Sequence, residues 1–159
     1  MTDLRQVVEK LGAEDVSTYV QSGNVVCRSA LAPAKFGQAL EKGIRGGLGL
    51  EVEVLVRTAA QLASIVDRNP FLPDADPAKL HVTFLASAPD AERARGLNGG
   101  SFAPDELRVA EENVFLHCPN GYGRSKLSNA FIEKQLAVAA TTRNWTTVSA
   151  LAELTAGLA

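Results

Sequence analysis

The sequence is poor in the residue types that most often carry recognisable chemistry. Two cysteines, two histidines and one tryptophan occur among 159 residues. Cys27 and Cys118 lie in separate apolar runs, so their spacing indicates neither a metal site nor a disulfide framework. There is also no Ser-His-Asp order and no HExxH sequence, which leaves covalent hydrolysis and zinc catalysis without support. Enzyme activity is therefore left open, and no cofactor or bound metal is implied.

Long apolar runs and a strong charge bias are absent as well. No run approaches the length of about 18 residues that a membrane span needs, and no basic segment followed by an apolar one marks a signal peptide. Together with the unpaired cysteines, this predicts a cytoplasmic protein without a membrane partner. The formal net charge of -2 argues against a surface that is basic everywhere. Strong nucleic-acid binding would therefore require a local basic patch.

Such a patch is available between His117 and Leu151, where four basic residues and one acidic residue occur. Within it, NGYGRSK joins a predicted strand to a predicted helix. Backbone N–H groups and the positive helix end would converge there on an anion, with Arg124 and Lys126 adding charge. The same order also suits an ordinary turn with a serine cap, and it is not a Walker A sequence. The first half of the candidate ligand site is Asn120, Gly121, Gly123, Arg124, Ser125 and Lys126.

The second half of the candidate site is Arg143, Asn144 and Trp145, in a segment TTRNW that is predicted to begin the last helix. Arg143 could form a bidentate pair with a phosphate or carboxylate, and Trp145 could stack on a base or ring. Alternatively, Trp145 is a core anchor and Arg143 binds Glu133 or a carbonyl. An ion pair of Glu133 with Lys126 or Arg143 would fix the two segments relative to one another.

Hydrophobic periodicity divides the chain into helices and strands. Helices are predicted over 3–11, 33–44, 59–67, 90–97, 125–136 and 144–158, and strands over 17–21, 24–28, 51–57, 80–86, 107–110 and 114–118. A tight turn at Ser22-Gly23-Asn24 joins the first two strands. His81 and His117 fall opposite the apolar positions of their strands, so they are predicted to share an outer sheet face with Phe115.

This element order predicts an α+β fold of two ferredoxin-like, split β-α-β modules in tandem, the first lacking its opening strand. The first module is assigned to residues 1–58, and a linker helix and loop to 59–79. The second module, with a C-terminal helix, takes residues 80–159. One irregular α+β sheet without duplication is the alternative.

Several segments carry a resemblance to a known family: TYVQSGNVVC, RNPF, LHVTFL, NGYGRSKLSNAFIEKQL and TTRNWTTV. Together they resemble the bacterial family called domain of unknown function 1697, over nearly the whole chain. The resemblance implies a pair of ferredoxin-like modules and no established activity. Members of that family usually begin with a strand and a turn of the type LLRGINVGG, which is missing here. The resemblance therefore implies a late start, a truncated chain or a lost strand, and restoring the strand is expected to raise the melting temperature.

The sequence predicts a binding module whose site lies between residues 117 and 147. The expected ligand is a phosphate-bearing small molecule or a nucleic-acid backbone. The first alternative is an enzyme acting on a phosphorylated small molecule, with Lys126 and Arg143 stabilising developing charge. The second is an assembly module, a homodimer among the options, that pairs through an exposed sheet edge.

Overall fold

The protein has a mixed α+β architecture, and a computed structural model describes residues 2–19 and 23–158. Ser22 of the predicted turn and residues 20 and 21 of the first predicted strand lie outside the described residues. The described α-helices are α1 (Thr2–Lys10), α2 (Pro33–Leu48), α3 (Ala59–Asp67), α4 (Ala91–Asn98), α5 (Asn129–Leu136) and α6 (Trp145–Ala156). The described strands are β1 (Glu14–Tyr19), β2 (Asn24–Arg28), β3 (Leu80–Leu85), β4 (Glu106–Ala110), β5 (Asn113–His117) and β6 (Ala140–Asn144). None of these helices is both long and apolar enough to cross a membrane.

The chain forms two compact units. The first contains the residues up to Val66 together with those from Ser149 onward, and the second runs from Asp67 to Val148. This division differs from the predicted boundaries of 1–58, 59–79 and 80–159, because most of α3 and of α6 belongs to the first unit. The Arg28 guanidinium donates a hydrogen bond of 2.9 Å to the Leu158 carbonyl, which joins the chain's last turn to β2.

The first unit packs α1 and α2 against the antiparallel hairpin of β1 and β2. Apolar residues recur at helical spacing in both helices, and their buried members form the core with the strands. This core contains Val7, Val8, Ala13, Val16, Phe36, Leu40 and Ile44. Gly12 ends the α1 segment with a φ of 83°, as its position after the apolar pattern predicts.

The predicted strand over residues 51–57 is wrong. The segment has the alternating pattern of a half-buried strand, yet it is irregular in the structure. The Val54 amide donates to the Glu41 carboxylate of α2 at 3.2 Å, and Val54 and Val56 pack against the first unit's core. Packing against this core accounts for Val54 and Val56 without a strand ladder, whereas Val52 is exposed.

The second unit is built on a four-stranded antiparallel sheet with the order β4-β5-β3-β6. Its elements follow one another along the chain as β3-α4-β4-β5-α5-β6. Helices α4 and α5 cover one face, where Leu97 and Ile132 join a core with Leu85 and Leu116 of the strands. The predicted strands at 80–86, 107–110 and 114–118 correspond to β3, β4 and β5.

Strand β6 was predicted as the start of a helix. Threonine is a β-former, and Thr141 and Thr142 lie in a strand that pairs with β3. Helix α6 begins at Trp145, directly after the last residue of this strand. The Asn144 side chain accepts a hydrogen bond of 2.8 Å from the Thr147 amide. The sequence missed this strand because an edge strand rich in threonine lacks a strong apolar alternation.

Helix α5 begins later than predicted. Ser128 rather than Ser125 is its N-cap, with the Ser128 hydroxyl accepting from the Phe131 amide at 3.2 Å. A short 3-10 helix, Tyr122–Arg124, precedes it. Because Arg124 and Lys126 lie before the cap, the positive end of the α5 dipole is not at the glycine-containing segment.

Side chains shield both outer strands of this sheet. At β4, the Asn98 amide accepts from the Val109 N–H at 2.7 Å and donates to its carbonyl at 3.4 Å. At β6, the Ala140 N–H donates to the Glu133 carboxylate at 2.8 Å, and its carbonyl accepts from the Asn129 amide at 2.9 Å. Occupied edge groups of this kind oppose pairing with another chain.

Candidate functional site

The 120–126 loop, Asn120 to Lys126, is held at several points along its length. The Gly121 amide donates to the Cys118 carbonyl at 2.9 Å, and the Ser125 amide donates to the Tyr122 carbonyl at 3.0 Å. The Ser125 hydroxyl donates to the Asp105 carboxylate at 2.7 Å and accepts from the Leu127 amide at 2.9 Å. These bonds fix the backbone on both sides of Arg124, which favours binding because little ordering is needed.

A polar pocket of about 350 Å³ adjoins this loop. Its lining residues are Pro104, Asp105, Asn120, Gly121 and Arg124. Gly121 has a φ of 99°, a backbone conformation that residues with a Cβ rarely adopt. The pocket lies toward the lower end of the size range that small-molecule sites occupy.

The cations of the loop are free of internal partners. Arg124 and Lys126 are both exposed, and neither takes part in any ion pair formed within residues 2–19 and 23–158. The expected ion pair of Glu133 with Lys126 or Arg143 is not formed, since Glu133 binds the Ala140 amide. The two charges are therefore available to an external anion.

Tyr122 is the part of the loop that faces the protein. Its ring stacks on His81 with centroids 4.5 Å apart and an interplanar angle of 22°. Among the residues that the structure describes, neither the Tyr122 hydroxyl nor His81 Nδ1, both buried, has a hydrogen-bond partner. Burial lowers the pKa of His81. The stack orients the loop and engages one face of the tyrosine ring.

The predicted pairing of the two histidines on one outer face is wrong. His117 lies opposite Leu80 in the β3–β5 ladder, whereas His81 lies opposite Leu116, which places the two rings on different faces. His117 Nδ1 lies 3.1 Å from the Glu106 carboxylate. Neither face is an open surface, because Phe115 beside His117 is only 3% exposed.

Arg143, in the second half of the predicted site, lies on the other face of the sheet from the loop, whereas Asn144 pairs with His81 on the face of the loop's Tyr122. Arg143 pairs with Val82 across the β3–β6 ladder, on the face opposite His81 and Tyr122. Its guanidinium donates to Thr141 Oγ1 at 2.8 Å and to the Thr142 carbonyl at 3.0 Å, and burial lowers its pKa. The sheet thus separates Arg143 from the loop.

Asn144 and Trp145 have structural partners. Asn144 caps α6 through the Thr147 amide, and Trp145 is 7% exposed. A ring so deeply buried matches the core-anchor alternative and offers no stacking surface to a base.

The two C-terminal segments are nevertheless joined by polar contacts. Thr142 donates to the Asn129 side chain at 2.8 Å, and Thr83 lies 2.8 Å from Thr142 between the hydroxyl oxygens. Because the single Thr142 proton goes to Asn129, the Thr83 hydroxyl is the donor in the second bond. The helix face that carries Asn129 and Glu133 docks α5 on β6.

Asp105 is the site residue that sequence reasoning missed. It lies 20 residues before Ser125 along the chain, in a loop whose local pattern gives no reason to connect the two.

Burial raises the pKa of the neighbouring Cys118 thiol. The residues that the structure describes contain no group of three or more side chains suited to a metal ion.

A family assignment follows from comparison of the sequence with protein families. The family model described as protein of unknown function (DUF1697) matches residues 1–115. The chain belongs to this family. The DUF1697 match ends within β5, so the 120–126 loop and β6 lie beyond the matched residues. No curated protein matches the chain.

A solved structure supports the mixed α+β fold. The conserved bacterial protein SP0830 from Streptococcus pneumoniae is similar to this chain with a TM-score of 0.77 and 18% sequence identity. The match covers 98% of this chain and 88% of that chain. At this level of identity, the likeness concerns the fold alone.

Proposed function

We propose that this protein is a binding module for a small phosphate-bearing molecule, held at the 120–126 loop. The observation that carries the proposal is the pair of exposed cations, Arg124 and Lys126, which form no ion pair within the described residues. Arg124 also lines the pocket. Charge-assisted hydrogen bonds from such groups are among the stronger ones that a protein can offer an anion. The bonds that fix the loop reduce the ordering cost of binding.

A small ligand fits this site better than a nucleic-acid strand does. Proteins that bind single strands combine a basic groove with aromatic rings on which bases stack. At this site, Tyr122 is stacked on His81 and Trp145 is buried. Both rings are thus engaged within the protein, and the nucleic-acid backbone becomes the second ligand to test.

The alternative functions have less support. A catalytic pair of Lys126 and Arg143 would need both cations at one reacting group, whereas Arg143 lies across the sheet from Tyr122 of the loop. Assembly through an edge of the four-stranded sheet is opposed by Asn98, Asn129 and Glu133, which occupy edge backbone groups.

We further propose that the two units are ferredoxin-like modules in tandem and that the protein acts in the bacterial cytoplasm. In the second unit, the chain order β3-α4-β4-β5-α5-β6 and the strand order β4-β5-β3-β6 support the split β-α-β type. In the first unit, the order α1-β1-β2-α2 supports a module with fewer strands. The free thiols of Cys27 and Cys118 support a reducing compartment. A high-resolution experimental structure with another strand order would contradict the fold proposal.

The test of ligand binding replaces Arg124 and Lys126 together by alanine. Calorimetric titration with pyrophosphate should show binding to the parent protein and at least about tenfold weaker binding to the double variant. The melting temperature should change by less than about 3 °C, because exposed substitutions normally shift stability by less than about 0.5 kcal/mol.

A matched control removes the same charge elsewhere. Arg95 on α4 and Lys134 on α5 are exposed cations outside the loop, and the Arg95→Ala/Lys134→Ala variant should bind pyrophosphate as the parent does. Equal loss of pyrophosphate affinity in both double variants would show a general effect of charge rather than a specific binding site. Failure of the parent to bind would remove the proposal, and much tighter binding of single-stranded DNA would favour the nucleic-acid backbone.

A further inference from the structure

The pocket beside the 120–126 loop carries both signs of charge. Asp105 and Arg124 line it together. Asp105 accepts the Ser125 hydroxyl through Oδ2, while Oδ1 forms no hydrogen bond with any residue that the structure describes. The carboxylate thus retains an acceptor for a donor group from outside the chain.

This mixed lining restricts the ligands that fit. A bare phosphate ion would meet Arg124 but would offer no donor to the free Asp105 oxygen in the same pocket. A molecule with hydroxyl groups next to its phosphate satisfies both side chains, since a hydroxyl donates to the carboxylate while the phosphate accepts from the guanidinium. The Asn120 side-chain amide has both a donor and an acceptor, so it can form a hydrogen bond with either the phosphate or a hydroxyl group of such a molecule.

We infer that the ligand class of this site is a phosphorylated sugar or polyol, with its phosphate at Arg124 and Lys126 and a hydroxyl donated to Asp105. The inference rests on the proposed function and narrows its ligand. The volume of about 350 Å³ accommodates a single sugar and its phosphate. The lining has no aromatic ring, so a nucleobase attached to the sugar would gain no stacking.

The experiment compares two phosphate esters of similar size on the whole chain. Glycerol 3-phosphate carries hydroxyl groups next to its phosphate, and propyl phosphate has none. Calorimetry should give at least about tenfold tighter binding of glycerol 3-phosphate, the difference expected from one hydrogen bond to a charged group. Ribose 5-phosphate should show the same preference over inorganic phosphate, and AMP should bind no tighter than ribose 5-phosphate.

The Asp105→Asn variant assigns the preference to one side chain. Asparagine keeps an acceptor for the Ser125 hydroxyl but removes the charge, so the variant should lose the advantage of glycerol 3-phosphate while binding propyl phosphate at least as well as the parent. The Asp74→Asn variant removes an exposed carboxylate outside the pocket and should keep the preference. If the Asp105→Asn variant fails to fold, the comparison of the two esters on the parent protein still tests the inferred ligand class.

The possible outcomes separate this inference from the proposed function. Equal affinity for the two esters would overturn the inference and leave anion binding in place. Absence of binding by any phosphate compound would overturn both. Tighter binding of a zwitterionic amino acid than of any sugar phosphate would also contradict the inference, as would AMP binding much tighter than ribose 5-phosphate.

Discussion

At the scale of single residues, a chain of polar side chains joins α5 to the sheet. Thr83 is fully buried and donates to Thr142, which in turn donates to Asn129. Buried hydroxyl groups are costly when left without partners. The contacts of these three residues therefore stabilise the docking of the helix, and with it the position of the chain that follows the 120–126 loop.

Replacing Thr142 by valine should destabilise the protein by about 1 to 3 kcal/mol, because the Thr83 hydroxyl and the Asn129 amide each lose a partner. Chemical denaturation measures the change. The Thr146→Val variant is the matched control, since Thr146 is exposed on α6 and should change stability by less than about 0.5 kcal/mol. Because Thr83 and Thr142 are in contact, changing both to valine should cost less than the sum of the single changes.

His81 gives the protein a pH-dependent component of stability. Burial lowers its pKa in the folded state, so the folded protein favours the neutral ring. This stabilisation is present above the pKa of histidine in the unfolded state, about 6.5. It is lost as the pH falls through the lower pKa of His81 in the folded state. The free energy of unfolding should therefore fall more steeply between about pH 7 and 5 for the parent than for His81→Phe. Identical pH profiles would show that His81 titrates alike in both states.

At the scale of elements, α5 has a favourable start and an unfavourable end. Ser128 caps its N-terminus, whereas Ala137, the residue after the helix, has a φ of 55°. A residue with a Cβ is disfavoured in this left-handed conformation, which glycine adopts readily. The helix end is therefore a place where a substitution can increase stability.

The Ala137→Gly variant should be more stable than the parent by up to about 1 kcal/mol, since relief of the left-handed conformation exceeds the added entropy of the unfolded chain. Ala130→Gly on the same helix is the control. Ala130 is exposed in the first turn of α5, so glycine there should destabilise by up to about 1 kcal/mol. Destabilisation by both changes, measured by denaturant titration, would contradict the argument about Ala137.

Elements with strong apolar periodicity could be predicted from the sequence, and those defined by their partners could not. The alternation of Leu80, Val82 and Phe84 predicted β3, and Pro33 predicted the start of α2. The valines of residues 51–57 alternate as in a strand, yet Val54 and Val56 pack against the first unit's core and Val52 is exposed. The polar residues of the edge strand β6 form no apolar pattern in the sequence. They are partly buried only by contacts that involve distant parts of the chain.

At the scale of the whole molecule, the loop cations stand out against an acidic background. The formal net charge is -2, yet Arg124 and Lys126 are exposed and form no ion pair within residues 2–19 and 23–158. The sequence could group these two cations because they are adjacent to the glycine-containing turn in the chain. Their grouping with Arg143 stays a prediction, and the strand register, which the sequence does not reveal, places Arg143 on the other face of the sheet from His81 and Tyr122.

The most direct test of the proposed site is a nuclear magnetic resonance titration of the whole protein with glycerol 3-phosphate. Backbone amide shifts should move at residues 104–105 and 120–126 and saturate with a single affinity. Amides around Arg143, on the opposite face of the sheet, should stay in place, as should those of the exposed control cations Arg95 and Lys134. Shifts centred on Arg143, or no saturable shifts anywhere, would contradict the assignment of anion binding to the 120–126 loop.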